Sequence, residues 1–126
     1  MERNVRFYKC NICGNIIGLI NGDMKHMACC GKEMEELTPN TVDAAVEKHV
    51  PVCAKVGDML EVKVGEVEHP MQDDHYIMWI AQVSDKQTTR VRLLPGEKPE
   101  CKFQYIPNSL VYAYCDKHGL WVSEVE

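Results

Sequence analysis

Two textures divide the chain. Beyond Thr38-Pro39-Asn40, apolar residues alternate with charged or polar ones, the period-two pattern of strands that bury one face. Leu60, Val62 and Val64 alternate in this way within 59–67, and Ile77, Trp79, Ala81 and Val83 hold one parity through 75–83. Further strands are predicted at 91–94, 102–106, 110–114 and 120–125, separated by Pro95-Gly96, Pro107-Asn108 and the turn at 117–119. No stretch carries a convincing helical period. This succession of short strands and tight turns predicts an antiparallel sandwich of immunoglobulin-like size over residues 38–126. Residues 1–37 differ, with brief apolar pieces set between polar turns. So short a segment buries too little apolar surface to offset its conformational entropy, and it needs metal, disulfides or a partner chain to fold. The fold class predicted is mainly β, with a small metal-bound module at 1–37 ahead of a β-sandwich at 38–126.

Composition narrows the function classes. The chain has 126 residues, room for one ordinary domain and a small stapled module, and its 45% hydrophobic content is that of a globular protein. No apolar run reaches the length that crosses a bilayer, so no membrane partner is expected. The opening MERNVRFYKC has no apolar stretch behind its charges, which predicts a cytoplasmic location. A net charge of -5 argues against nucleic acid, whose binding needs a concentrated basic surface.

The cysteines change the picture most. Seven is an odd count, and without an export signal metal ligation explains them better than a disulfide scaffold. Cys10, Cys13, Cys29 and Cys30 form the pattern C-x2-C-x15-C-C. Four thiolates from two short loops can close a tetrahedron around one soft ion, and Gly14 and Gly31 let the backbone curl toward the sulfurs. Zinc and iron both accept such a site. The adjacent Cys29-Cys30 pair is unusual, because neighbouring residues ligate one ion only with distorted angles.

A second constellation lies in the C-terminal part. His49, His69, His75, Cys115 and His118 all fall at predicted strand ends or turns, and loops gathered at one end of a sandwich can converge on one ion. Taken singly each histidine is ordinary; the set is informative. Four imidazoles and one thiolate exceed what structural zinc takes and suit iron. A five-coordinate divalent ion of that kind carries net positive charge and leaves one position open for a small anion. A thiolate opposite that position donates electron density toward whatever binds there. A cysteine nucleophile working with His118 is the rival reading of Cys115, but no oxyanion-hole or orienting-carboxylate signature accompanies the pair.

Taken together, C-x2-C-x15-C-C, Glu47-Lys48-His49-Val50-Pro51, His69-Pro70-Met71 with His75-Tyr76-Ile77, and Cys115-x2-His118-Gly119-Leu120-Trp121 resemble desulfoferrodoxin, the two-iron form of superoxide reductase. The resemblance covers the whole chain. It implies a desulforedoxin-like N-terminal domain whose iron is held by Cys10, Cys13, Cys29 and Cys30. It also implies a catalytic iron with His49, His69, His75 and His118 equatorial and Cys115 axial. On the same ground Glu47 resembles the family glutamate that visits the vacant iron position, and Lys48 the lysine that attracts the anion and helps deliver protons. The activity implied is reduction of superoxide to hydrogen peroxide by a homodimer that draws electrons from a rubredoxin-like donor. The alternative is an iron protein that only transfers electrons. Cys53, Cys101 and His26 lie outside the pattern. Trp79, Trp121 and Met71 are expected to pack, with Trp121 close enough to the ligand turn to shield the iron.

Overall fold

A computed structural model describes residues 5–126; the first four residues of the predicted N-terminal module lie outside them. The chain divides into two compact units between Thr38 and Pro39. In the first unit, β1 (Arg6–Lys9) pairs antiparallel with β2 (Ile16–Leu19) and with β5 (Glu35–Glu36), while β3 (Ala28–Cys29) and β4 (Lys32–Glu33) form a separate hairpin. Among its described residues, Phe7, Tyr8 and Cys10 are buried. That is little apolar cover, as the need for a staple predicts.

The second unit is a sandwich of two antiparallel sheets. One holds β6 (Pro51–Val56), β7 (Met59–Val64) and β10 (Glu100–Gln104) in the order β10-β7-β6. The other holds β8 (Ile77–Val83), β9 (Thr88–Arg92), β11 (Leu110–Cys115) and β12 (Gly119–Glu124) in the order β12-β11-β8-β9. Leu60, Val62 and Val64 alternate inward from β7, as their spacing requires, and meet Ile80, Val111 and Ala113 of the facing sheet. Gln82 bridges the layers by donating to the Gln104 carbonyl at 3.0 Å and to Ser109 at 3.3 Å, so this fully buried amide is satisfied.

The strand expected at 91–94 lies earlier, as β9 at Thr88–Arg92, and three further segments differ from the sequence pattern. β8 is buried on both faces: the ladder with β11 shifts register between Tyr114 and Cys115, so Ile77 and Ile80 both enter the core despite opposite parity. Trp79 lies on the other face, stacked on Tyr114 at 5.7 Å. β6 is absent from the predicted strands because its outward residues, Lys55 among them, mask the alternation on a sheet edge. One helical turn, α1 (Val46–His49), exists where none is predicted; it is closed by the Val50 amide donating to the Val46 carbonyl at 3.0 Å. A single turn is too short to leave a periodic signal. Among the described residues no helix is long and apolar enough to cross a membrane.

Candidate metal centres

The chain direction of the sandwich decides where side chains meet. β6, β8 and β12 begin, and β7 and β11 end, at the same end of the two sheets. α1 leads into β6, residues 65–76 join β7 to β8, and residues 116–118 join β11 to β12. Those three connections carry His49, His69, His75 and His118, and Cys115 closes β11.

There the imidazoles form a ring. Centroids of neighbouring rings lie 4.7 Å apart for His49 and His69, 4.8 Å for His69 and His75, 5.1 Å for His75 and His118, and 4.9 Å for His118 and His49. Each neighbour is turned 75–88° from the last, while His49 and His75, across the ring at 6.4 Å, are tilted by only 31°. His49, His69, His75 and Cys115 offer one ligand atom each within 4.8 Å of one another. His118 joins them: its Nδ1 is 3.1 Å from His49 Nε2 and 4.0 Å from Cys115 Sγ.

Backbone carbonyls fix which nitrogens face inward. His49 Nδ1 lies 2.7 Å from the Ala45 carbonyl and His69 Nδ1 lies 2.7 Å from the Pro70 carbonyl. A carbonyl only accepts, so both Nδ1 atoms carry hydrogen and both Nε2 atoms keep their lone pairs. His69 Nε2 and His75 Nε2 are buried without a hydrogen-bond partner. Buried polar atoms rarely stay orphaned. Two inward lone pairs beside a thiol therefore fit a cation and little else. Burial pushes His69 down to about 4 and lowers His49 and His75, keeping the rings neutral as metal binding requires. Burial raises the Cys115 thiol, against the pull of the His118 and Lys117 amides.

Several neighbours hold this ring in place. Trp121, 1% exposed, stacks on His49 at 4.9 Å and donates Nε1–H to the His118 carbonyl at 3.0 Å. Gly119, at φ 79°, closes a three-residue turn after Cys115, a conformation open to glycine. Gly65, also at positive φ, lies against the Glu47-Lys48 backbone, and the Val67 amide donates to the Glu47 carbonyl at 2.9 Å. The sequence carries no signal for the Gly65 contact, since it joins residues distant along the chain. Glu47 and Lys48 are exposed on α1. Lys48 lines a cleft of about 500 Å³ together with Glu68, His69, Met71 and Lys98. Met71 packs on the core, and its sulfur accepts the Ile77 amide at 3.4 Å.

In the N-terminal unit the four cysteines also converge, with sulfurs within 4.8 Å of one another. Cys13 Sγ is 3.4 Å and Cys30 Sγ 4.0 Å from Cys29 Sγ, bracketing the roughly 3.8 Å edge of a tetrahedron with metal–sulfur bonds near 2.3 Å. Cys30 and Gly31 both have positive φ, 54° and 75°, and turn β3 into β4 as a tight hairpin. That strained turn is how adjacent cysteines come to face one point. The Cys13 and Ile12 amides draw Cys10 down to about 6, whereas hydrogen bonding by the Cys13 and Cys10 sulfurs pushes Cys29 up to about 12. Cys53 and Cys101 stand apart from both clusters as partly buried residues against the sandwich core.

A sandwich with one histidine–thiolate cluster and a separate tetrathiolate module defines a two-centre metalloprotein. Residues 41–124 match the family Desulfoferrodoxin, and residues 2–37 match Desulfoferrodoxin, N-terminal domain. The desulfoferrodoxin of Syntrophotalea carbinolica is 48% identical over 98% of this chain and 99% of its own. Superoxide reductase from Pyrococcus abyssi is 32% identical over 64% of this chain and 87% of its own. Among solved structures, the superoxide reductase from Treponema pallidum superposes with a TM-score of 0.76 at 30% identity, covering 95% of this chain and 98% of that one. The chain belongs to the desulfoferrodoxin family. Its two clusters are those of a protein with two iron centres per chain.

Proposed function

We propose that the chain is a superoxide reductase, an oxidoreductase that reduces superoxide to hydrogen peroxide at an iron held by His49, His69, His75, His118 and Cys115. The observation that carries this reading is the ring of four imidazoles, each turned 75–88° from its neighbours, with inward lone pairs beside a buried thiol. Ferrous iron, when bound, supplies one electron and an open coordination position. Superoxide gains that electron and two protons to become hydrogen peroxide.

The chain's own residues do the rest. His75 and His118 are half-buried while His49, His69 and Cys115 are buried, so a small anion comes to the ring from the side of the half-buried pair. Lys48 lines the cleft that His69 also lines, and its positive charge there offsets the net charge of -5 for an incoming anion and can hand on a proton. Glu47, on the same turn, supplies a carboxylate that favours product departure. The Ala45 and Pro70 carbonyls hold two rings in the tautomer that ligates. Cys10, Cys13, Cys29 and Cys30 hold the second iron, which at the least staples residues 1–37. A homodimer in the cytoplasm, served by a rubredoxin-like donor, completes the proposal.

The test is anaerobic purification with iron and zinc measured per chain on one sample, followed by rapid mixing with superoxide. Two irons and fast peroxide formation without oxygen evolution support the reading. Zinc that persists after refolding with excess ferrous iron overturns it. A pure electron-transfer protein would lack an exchangeable iron position, so azide or cyanide binding separates the two readings.

A further inference from the structure

Asp116 joins two of the connections that build the histidine–thiolate ring. The β11–β8 ladder shifts just before it, and beyond that shift Asp116 continues the pairing with two bonds to one residue. Its amide donates to the Tyr76 carbonyl at 3.2 Å, and its Oδ1 accepts the Tyr76 amide at 3.0 Å. The neighbour of His75 is thereby tied to the neighbour of Cys115. The same Oδ1 lies 3.9 Å from Cys115 Sγ, and Asp116 is half-buried, so water screens it incompletely.

We propose that Asp116 is a positioning residue for this centre. Its carboxylate fixes the start of β8 against the Cys115 turn and places a negative charge beside the sulfur, which strengthens cation binding and favours the oxidised ion. The inference rests on the reading that the histidines and Cys115 hold a metal. An ion bonded to that sulfur lies within roughly 6 Å of the carboxylate, the sum of 3.9 Å and a metal–sulfur bond of about 2.3 Å. One unit charge facing a divalent ion at that range changes its affinity by at most about tenfold at the dielectric of water, part of which is offset by repulsion from the Cys115 thiolate that the ion creates.

The full chain is compared with Asp116→Asn, which keeps the size and an oxygen that can accept the Tyr76 amide, and with Asp116→Ala, which keeps neither. Metal-free protein is titrated with Co2+, using Cys115→Ser to identify the signal of the four-cysteine site, and the reduction potential is measured on iron-loaded protein. Asp116→Asn is expected to bind Co2+ more weakly, by up to about tenfold, and to show a raised potential, with its metal-free melting temperature unchanged. Asp116→Ala should in addition melt earlier. Wild-type affinity and potential in Asp116→Asn overturn the proposal. So does an Asp116→Asn variant that loses as much affinity and melting temperature as Asp116→Ala, because the role is then structural alone. If the wild type binds no Co2+ beyond one ion per chain at the four-cysteine site, the metal reading of the ring fails first and takes this inference with it.

Discussion

Gly65 offers a direct test of how the ring is held. It has φ +84°, and a Cβ there would lie 2.6 Å from Lys48 C and 2.7 Å from Lys48 Cα, with the Glu47 carbonyl oxygen closer still. These are backbone atoms, so alanine must displace either its own turn or the helical turn that delivers Glu47, Lys48 and His49. Gly57 provides the control: it has φ +61° in the β6–β7 turn, and its added Cβ would meet nothing within 4 Å. Left-handed backbone in a non-glycine residue costs about 1–2 kcal/mol, and forced overpacking a further ~1–3 kcal/mol. Gly57→Ala should therefore lose about 1–2 kcal/mol and Gly65→Ala about 2–5 kcal/mol. At roughly 4–8 °C per kcal/mol for a unit of this size, Gly65→Ala should lower the melting temperature by at least about 8 °C. Urea and thermal unfolding of metal-free protein measure this, and Co2+ titration follows the ring separately. Only Gly65→Ala should weaken metal binding at the histidines, by roughly 10–100-fold. Equal stability loss in the two variants, with histidine-site affinity intact, would show that the close approach does not position α1.

Further expectations follow from other contacts. Lys48→Ala should slow the bimolecular step with superoxide several-fold at low salt and flatten its ionic-strength dependence; unchanged kinetics at low salt would remove the lysine from anion attraction. Trp121→Phe keeps much of the bulk but loses the bond to the His118 carbonyl, and should cost about 1 kcal/mol, while Trp121→Ala should cost about 3–5 kcal/mol. Denaturant unfolding measures both. With His69 near 4 in the folded chain and 6.5 unfolded, the unfolded chain binds the extra proton between those values. Stability of metal-free protein should thus be full above about pH 6.5 and fall toward pH 4, by on the order of 3 kcal/mol from His69 alone; a flat profile over that window would contradict the burial argument. Cys13→Ser should release the N-terminal iron and expose residues 1–37 to proteolysis; a protease-resistant N-terminal unit without its metal would refute the staple role.

The candidate ligands were legible because they sit at turns, where residue type and spacing announce themselves. His49 before Val50-Pro51, His69 before Pro70 and the Cys115-to-Gly119 turn all carry local signals. The contacts that orient them carry none. Asp116 reaching Tyr76, Gly65 against Lys48 and Trp121 against His49 join residues far apart in the chain, so no window of sequence contains them. The mainly β class followed from period two along β7. It misled at β8, where one bulge puts Ile77 and Ile80 on the same side. Cys30 shows the same limit on a smaller scale. Its pairing with Cys29 predicts distorted geometry, but only the backbone reveals that a left-handed turn absorbs it.

The sandwich also has an end that the ring leaves alone. β6 runs into β7 through Gly57-Asp58, and β8 into β9 through the turn at 84–87, where Ser84 Oγ accepts the Lys86 and Gln87 amides. Both hairpins lie the length of a strand away from the histidines. Exposed tips of this kind accept insertions readily. A fluorophore, an affinity tag or a fused electron donor could be grafted there, turning the antiparallel layout into a handle on a centre that the graft never touches.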